Sequence, residues 1–326
     1  MQRRNFLQLA AATSVMPSTI TLAQGDTYPN RPVRVVVGFA PGGGVDLTAR
    51  PFAQRLSVAL GQPIVVENKP GVNGNIAASY VANSVPADGY TLLQINGAMA
   101  TNSPFLYNTG VPDYLRDLVP VTGITESPQA VIVPASLGVK TLSEFVALAK
   151  SGRTSLNFAS GGNGTLAHLA FELFRRDEGL KIEHIPYRGT GPAVLDMVAG
   201  RIHLLIDGFN QVKGQVDAGV LRVLAVTGPT RLAAIPQVPT SGEAGFPRLQ
   251  AIGWQALMAP AKVPAGILKR LRDAGQQVMQ QQEFIDFLEG RGSVGRWRSA
   301  SEVNERIRLE SAVWGEVIRS ANIKLD

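Results

Sequence analysis

The chain has 326 residues, of which 45% are hydrophobic and 17% charged. That is enough apolar chain for two domains with cores of their own, and it excludes a disordered protein. The formal net charge of +6 is mild, and cysteine is absent, which excludes a disulfide framework, a thiol nucleophile and a lipid-anchoring thiol.

The N-terminus reads as a targeting segment. Arg3 and Arg4 precede an apolar run from Phe6 to Met16 that is too short to span a bilayer, and Thr21-Leu22-Ala23 supplies the small residues of a cleavage site. The paired arginines followed by Phe6 and Leu7 are similar to a twin-arginine signal, with general secretory export as the alternative. Residues 1–23 are therefore expected to be a signal peptide cleaved near Ala23, and the periplasm is the expected destination. No later stretch approaches ~20 consecutive apolar residues, so the mature chain is expected to be soluble.

Strand and helix patterns then alternate. Strands are predicted at 33–38, 64–67 and 90–95, with helices at 46–60 and 75–83 between them. Gly61-Gln62-Pro63, Lys69-Pro70-Gly71 and Pro86-Ala87-Asp88-Gly89 supply the turns. A second set starts at 130–133. Thr141 and Glu144 have capping-box spacing and open a helix to Lys150. Strand 156–159, helix 165–176, strand 182–186, helix 192–199 and strands 202–206 and 221–226 follow. Prolines from Pro229 to Pro247 mark a connection before strand 253–258.

The remainder is helical. Pro264 suits a first helical turn, and Ile267, Leu268, Leu271 and Val278 share one face. Ser299 and Glu302 repeat the capping-box spacing, ahead of a stripe of Val303, Ile307, Trp314, Val317 and Ile318 that reads as core. The cluster at 291–298, with three arginines, reads as a solvated loop and not as a nucleic-acid surface.

This alternation predicts an α/β protein of two lobes with parallel sheets. Residues 24–127 with 251–326 form one expected domain and 128–250 the other, linked near 125–131 and 250–256. A cleft between lobes is where a small ligand binds and about which a hinge closes.

Two strand-to-helix turns are glycine-rich. Ala40-Pro41-Gly42-Gly43-Gly44 precedes Asp46, and Ser160-Gly161-Gly162-Asn163-Gly164-Thr165 opens the helix at 165. Free N–H groups and the positive end of a helix dipole make such a turn an anion site, and glycine lets the backbone approach the ligand closely. Ala40, Gly42, Gly43, Gly161 and Gly164 are candidate binding residues, and Ser160 and Thr165 add hydroxyls. Asp46 either caps its helix or contacts a ligand. Tyr187 and Arg188, at a further strand end, would wall the cleft and pair with a carboxylate, and Asp207 ends another strand on the same edge.

Catalytic and metal readings find little support. His168, His184 and His203 are scattered without ligand spacing, and no two carboxylates group as acid and base. No cofactor or metal is expected. One dinucleotide signal stands: residues 162–167 fit G-x-G-x-x-A, with Glu183 about twenty residues on.

Six motifs in order give the chain a likeness. They are Pro41-Gly42-Gly43-Gly44-Val45-Asp46, Val66-Glu67-Asn68-Lys69-Pro70-Gly71, Pro86-Ala87-Asp88-Gly89-Tyr90-Thr91-Leu92, Ser160-Gly161-Gly162-Asn163-Gly164-Thr165, Pro186-Tyr187-Arg188-Gly189-Thr190 and Val238-Pro239-Thr240. From about Tyr28 onward the chain resembles the periplasmic solute receptors of tripartite tricarboxylate transporters, the Bug receptors. The resemblance implies a type II periplasmic-binding-protein fold whose lobes are crossed twice. It implies a deep cleft in which the first loop holds a carboxylate, often through ordered water, while the second clamps it from the other lobe. It also implies delivery of a small carboxylate to membrane permease subunits, and no enzymatic activity. A monomer is expected. Pro51, inside the first helix, and Tyr114-Leu115-Arg116-Asp117, without the usual Asp-Pro turn, depart from the pattern. An exported sensor serving a membrane kinase, and a dinucleotide enzyme, remain the alternatives.

Overall fold

The computed structural model describes residues 28–187 and 189–325. The expected signal segment with its cleavage site, and the candidate Arg188, lie outside the described residues.

The first lobe opens with β1 (Val33–Val37), α1 (Gly44–Leu60), β2 (Ile64–Asn68), α2 (Asn75–Asn83) and β3 (Thr91–Asn96). β1 lies between β2 and β3 and parallel to both, with Val35 opposite Val66 and Leu92. Its valines at 33, 35, 36 and 37 are all buried, as a strand covered on both faces requires. α1 runs unbroken through Pro51. The carbonyl deprived of a donor there is that of Leu47, an exposed residue whose carbonyl water can serve. Two short helices, α3 (Gly97–Thr101) and α4 (Ser103–Leu106), follow β3; so few residues carry no readable period. The missing Asp-Pro turn is replaced by Asp113, whose carboxylate accepts the N–H groups of Leu115 and Arg116.

β4 (Leu118–Pro134) leads into the second lobe, built from α5 (Leu142–Ser151), β5 (Asn157–Ser160), α6 (Leu166–Glu178), β6 (Glu183–Pro186), α7 (Thr190–Val198), β7 (Leu204–Gly208), α8 (Lys213–Asp217) and β8 (Leu221–Val226). β9 (Ile252–Pro260) returns to the first lobe, which ends with α9 (Ala265–Met279), α10 (Gln282–Glu289), β10 (Val294–Arg298) and α11 (Ala300–Ser320).

β4 serves both lobes. Between Leu118 and Pro128 it pairs antiparallel with β9; from Gln129 onward it pairs with β7 and β8. The strand order is β2-β1-β3-β9-β4-β7-β5-β6, with β8 and β10 also on β4. Most of the two expected links, 125–131 and 250–256, is therefore one hydrogen-bonded ribbon.

Each lobe packs apolar layers on both faces of its sheet. In the first, Phe52, Leu56, Leu271 and Phe284 fill one side, and Ala77, Val81, Met99 and Ile307 the other. In the second, Phe145, Phe158 and Phe171 lie on one side, with Phe158 and Phe171 stacked at 3.9 Å, and Ala193, Val194 and Met197 on the other. A further cluster joins Leu106 to Leu169, Leu173 and Trp314 across the lobes.

The arginine cluster at 291–298 is not a solvated loop. Residues 294–298 form β10 on β4, and Arg296 and Arg298 reach the buried Glu126 carboxylate at 3.1 and 2.9 Å, where Arg306 joins them at 2.7 Å. An unpaired buried charge is costly, and three guanidinium groups hold this one beside the crossing.

Candidate functional site

A cavity of about 460 Å³ lies between the lobes. Its second-lobe wall is the β5–α6 turn, residues 161–166. Its first-lobe wall is the start of α3, Asn96, Gly97 and Ala98, backed by Thr101, Asn102, Leu106 and Tyr107, with Asn73 from the turn before α2. The crossing strand adds Ile252, Gly253 and Trp254, and the C-terminal segment adds Glu310, Trp314 and Leu325.

The second glycine loop is shaped by its own side chains. Thr165 caps α6, accepting the His168 N–H and donating to the Gly162 carbonyl at 2.9 Å. Ser160 is fully buried; its Oγ lies 2.7 Å from His184 Nε2 and accepts the Gly162 N–H. The Gly164 N–H donates to His168 Nδ1 at 3.1 Å, which leaves the proton of that ring on Nε2. The His168 and His184 rings stack at 3.9 Å, and burial pushes both pKa values down to about 4, so both are neutral props beneath the loop. Ser160 and Thr165 therefore spend their hydroxyls inside the loop, while Gly161 and Gly164 line the cavity. Gly164, at φ +72°, also lies so close to Leu106 that a Cβ would sit 2.4 Å from its Cδ1.

The first loop is built differently. The N-cap of α1 is Gly43, with no side-chain cap. Asp46 is not the N-cap and does not line the cavity: it is buried, and its Oδ2 accepts the Gly42 N–H and Arg50 Nε, both at 2.9 Å, while Oδ1 accepts Asn68 Nδ2 at 2.8 Å. Burial alone would raise this carboxyl, but those hydrogen bonds outweigh it and hold the group below the usual carboxylate range. Ala40, Gly42 and Gly43 sit on the turn beside this brace and are not among the residues lining the cavity.

Of the remaining candidates, Tyr187 and Asp207 are not among the residues lining the cavity. Tyr187 donates to Asp196 Oδ2 at 2.6 Å and packs with the α7 core. Asp207 accepts from Thr190 and from the Gly208 N–H, and its burial raises its carboxyl pKa. Glu183, the acid of the dinucleotide reading, opens β6 opposite Asn157, at the far end of the sheet from the turn after Ser160. Three residues of strand, about 10 Å, separate it from the position that reading needs.

The wall made by Asn73, Asn96–Ala98, Trp254 and Glu310 lies outside the sequence reading. One signal for it exists: Asn96-Gly97 follows a strand on the edge where β1 delivers its loop. Glu310 and Trp314 gave no such signal, since the helical stripe assigns Trp314 to the core, where it also belongs. Among the described residues, no group of three or more His, Cys, Asp and Glu is placed to hold a metal, and no helix is long and apolar enough to cross a membrane.

Residues 48–323 match the model of the tripartite tricarboxylate transporter family receptor. Protein BugT of Bordetella pertussis is 32% identical over 325 residues, covering 98% of this chain and 99% of BugT. A solved structure of R. palustris Rpa4515 with adipate is 33% identical, covers 91% of this chain and all of that one, and superposes with a TM-score of 0.78. MatC (Rpa3494) from Rhodopseudomonas palustris with bound malate is 29% identical, covers 89% of this chain and all of MatC, and gives 0.74. The chain belongs to the tripartite tricarboxylate transporter family receptors, which are periplasmic solute-binding receptors and not enzymes.

Proposed function

We propose that this receptor captures a small carboxylate between its lobes and delivers it to the membrane permease subunits of a tripartite tricarboxylate transporter. The observation that carries the reading is the cavity itself, walled by a glycine-rich β–α turn of one lobe and a β–α turn of the other. Backbone N–H groups at helix starts suit a carboxylate, and the adipate and malate of the two R. palustris receptors are carboxylates. Gly161 holds the anion from the second lobe through its N–H, and Gly164, whose own N–H is spent on His168, serves as the Cβ-free position beside it. Ala40, Gly42 and Gly43, next along the edge on β1, complete the grip as the lobes close, and Asp46 keeps that loop in shape. The lobes act as two domains, 24–127 with 251–326 and 128–250. The mature chain is a periplasmic monomer once the signal is removed near Ala23.

A thermal-shift screen of carboxylic acids on the purified mature chain tests the capture step, because a ligand that binds the native state raises its apparent stability. No shift with any acid overturns it. Deleting the gene should then abolish uptake of the acid found; persistent uptake would favour the kinase-sensor reading over permease delivery.

A further inference from the structure

The cavity's charge pattern restricts what can stand behind the bound carboxylate; this rests on the receptor reading above. Among the described residues, the ionisable side chains of its lining are Tyr107 and Glu310, with no lysine, arginine or histidine. Glu310 is locked in place, its Oε2 accepting Trp254 Nε1 at 2.8 Å and its Oε1 accepting Arg306 Nε at 2.6 Å. Arg306 does not line the cavity; its guanidinium is spent on Glu310, Glu126 and the Ile252 carbonyl. Among the described residues the chamber therefore shows a ligand neutral polar groups and a carboxylate already paired with Arg306, and no free cation.

Its other polar groups are neutral. Asn96 uses its Oδ1 on the Met99 N–H, which leaves its amide N–H₂ for a ligand. The Tyr107 phenol and the Asn163 amide stand at the wall, and Trp254, Trp314 and Leu166 give apolar area. A second anionic group would lose water here without finding a cationic partner among the described residues of the lining. An amide, a hydroxyl or an aromatic ring loses nothing comparable, because the asparagines and the phenol pair with it and the indoles cover it.

We infer that this receptor selects monocarboxylates with a neutral polar or aromatic body over dicarboxylates. The carboxylate is taken by the glycine loop, and Asn96, Tyr107, Asn163 and Glu310 read the other end.

Matched acids of equal length test this by calorimetry on the full mature chain: adipate against its monoamide, and terephthalate against 4-carbamoylbenzoate. The monoamides should bind at least roughly tenfold tighter. Equal affinity, or a tighter diacid, overturns the inference and leaves the receptor reading intact. If no acid of either kind binds, both fall. Asn163→Ala should weaken the monoamide more than the diacid, and Glu310→Gln should narrow the gap by relieving the diacid. Asn163 is exposed and makes no internal hydrogen bond among the described residues, so its variant is expected to fold. A ratio unmoved in both folded variants overturns the assignment to these residues.

Discussion

Asn102 of the first lobe donates its side-chain N–H to the carbonyl of Gly164 in the second, at 3.1 Å and out of contact with solvent. The same side chain accepts from Thr101 Oγ1, so one buried amide ties α3 to the glycine loop across the cavity. Asn102→Ala leaves the Gly164 carbonyl buried and unpaired, a loss of about 1–3 kcal/mol. If the contact belongs to the closed form, affinity for a carboxylate should drop roughly tenfold while the melting temperature of the ligand-free protein barely moves. Calorimetry and a thermal melt on the same preparation separate the two. A lower melting temperature with unchanged affinity would show that the tie is held whether or not ligand is bound.

Asp46→Ala should cost about 1–3 kcal/mol of stability, because it removes a buried carboxylate that the Gly42 N–H, the Asn68 amide and Arg50 all bond. Arg50→Ala should be milder, since that guanidinium is half exposed and water replaces its partner. The Asp46 carboxyl is held below its ordinary range, so its contribution is complete at neutral pH and disappears as acidification protonates it. Denaturant titrations of the two variants check the order; equal losses would contradict it.

The stacked histidines give a second, separate pH dependence. Burial lowers both pKa values to about 4, with the nearby Arg175 adding to the effect at His168, and His168 adding to it at His184. An unfolded chain binds these protons near pH 6.5, so it holds more protons than the native state between about pH 6.5 and 4. Stability should accordingly be full above that window and fall by a few kcal/mol across it. Melts at stepped pH values, repeated with His184→Gln, would show the slope and its reduction. An unchanged slope in the variant would move the effect to other groups.

Trp254 and Trp314 line the cavity, whereas Trp297 is 40% exposed on β10. A bound acid should alter the intrinsic fluorescence, and the change should survive Trp297→Phe but shrink clearly in Trp314→Phe. A ligand response lost with Trp297 instead would place the ligand elsewhere.

Much of the fold was legible because long elements repeat their period. The α2 span, 75–83, and the β8 span, 221–226, were read to the residue. The Ser299–Glu302 capping box forms as its spacing implied, with Ser299 accepting from the Glu302 N–H and Glu302 accepting from the Ser299 N–H. β4 was legible only in its second half, because Pro120, Gly123 and Pro128 interrupt the alternation where the strand bulges against β9. The site was less legible than the fold. Glycine loops advertise themselves, but whether Ser160 turns its hydroxyl to a ligand or to His184 depends on a ring brought from another strand. Asp46 is similar: its partner Asn68 lies twenty-two residues away, and only the β1–β2 register brings them together.

The path of the chain through β4 and β9 also orders its folding. The buried clusters of the second lobe draw only on residues between Ala130 and Leu249, a continuous stretch. In the first lobe, ten of the eighteen residues in the core around Phe52 come after the return, from Leu257 to Leu288. The half that leaves the ribosome first is therefore the half that must wait: its valine-rich strands have no complete covering until the final third of the polypeptide exists. The middle segment can collapse on its own local contacts meanwhile. Until the tail arrives, the leading strands are the sticky part of the molecule, and chaperone capture would be directed there.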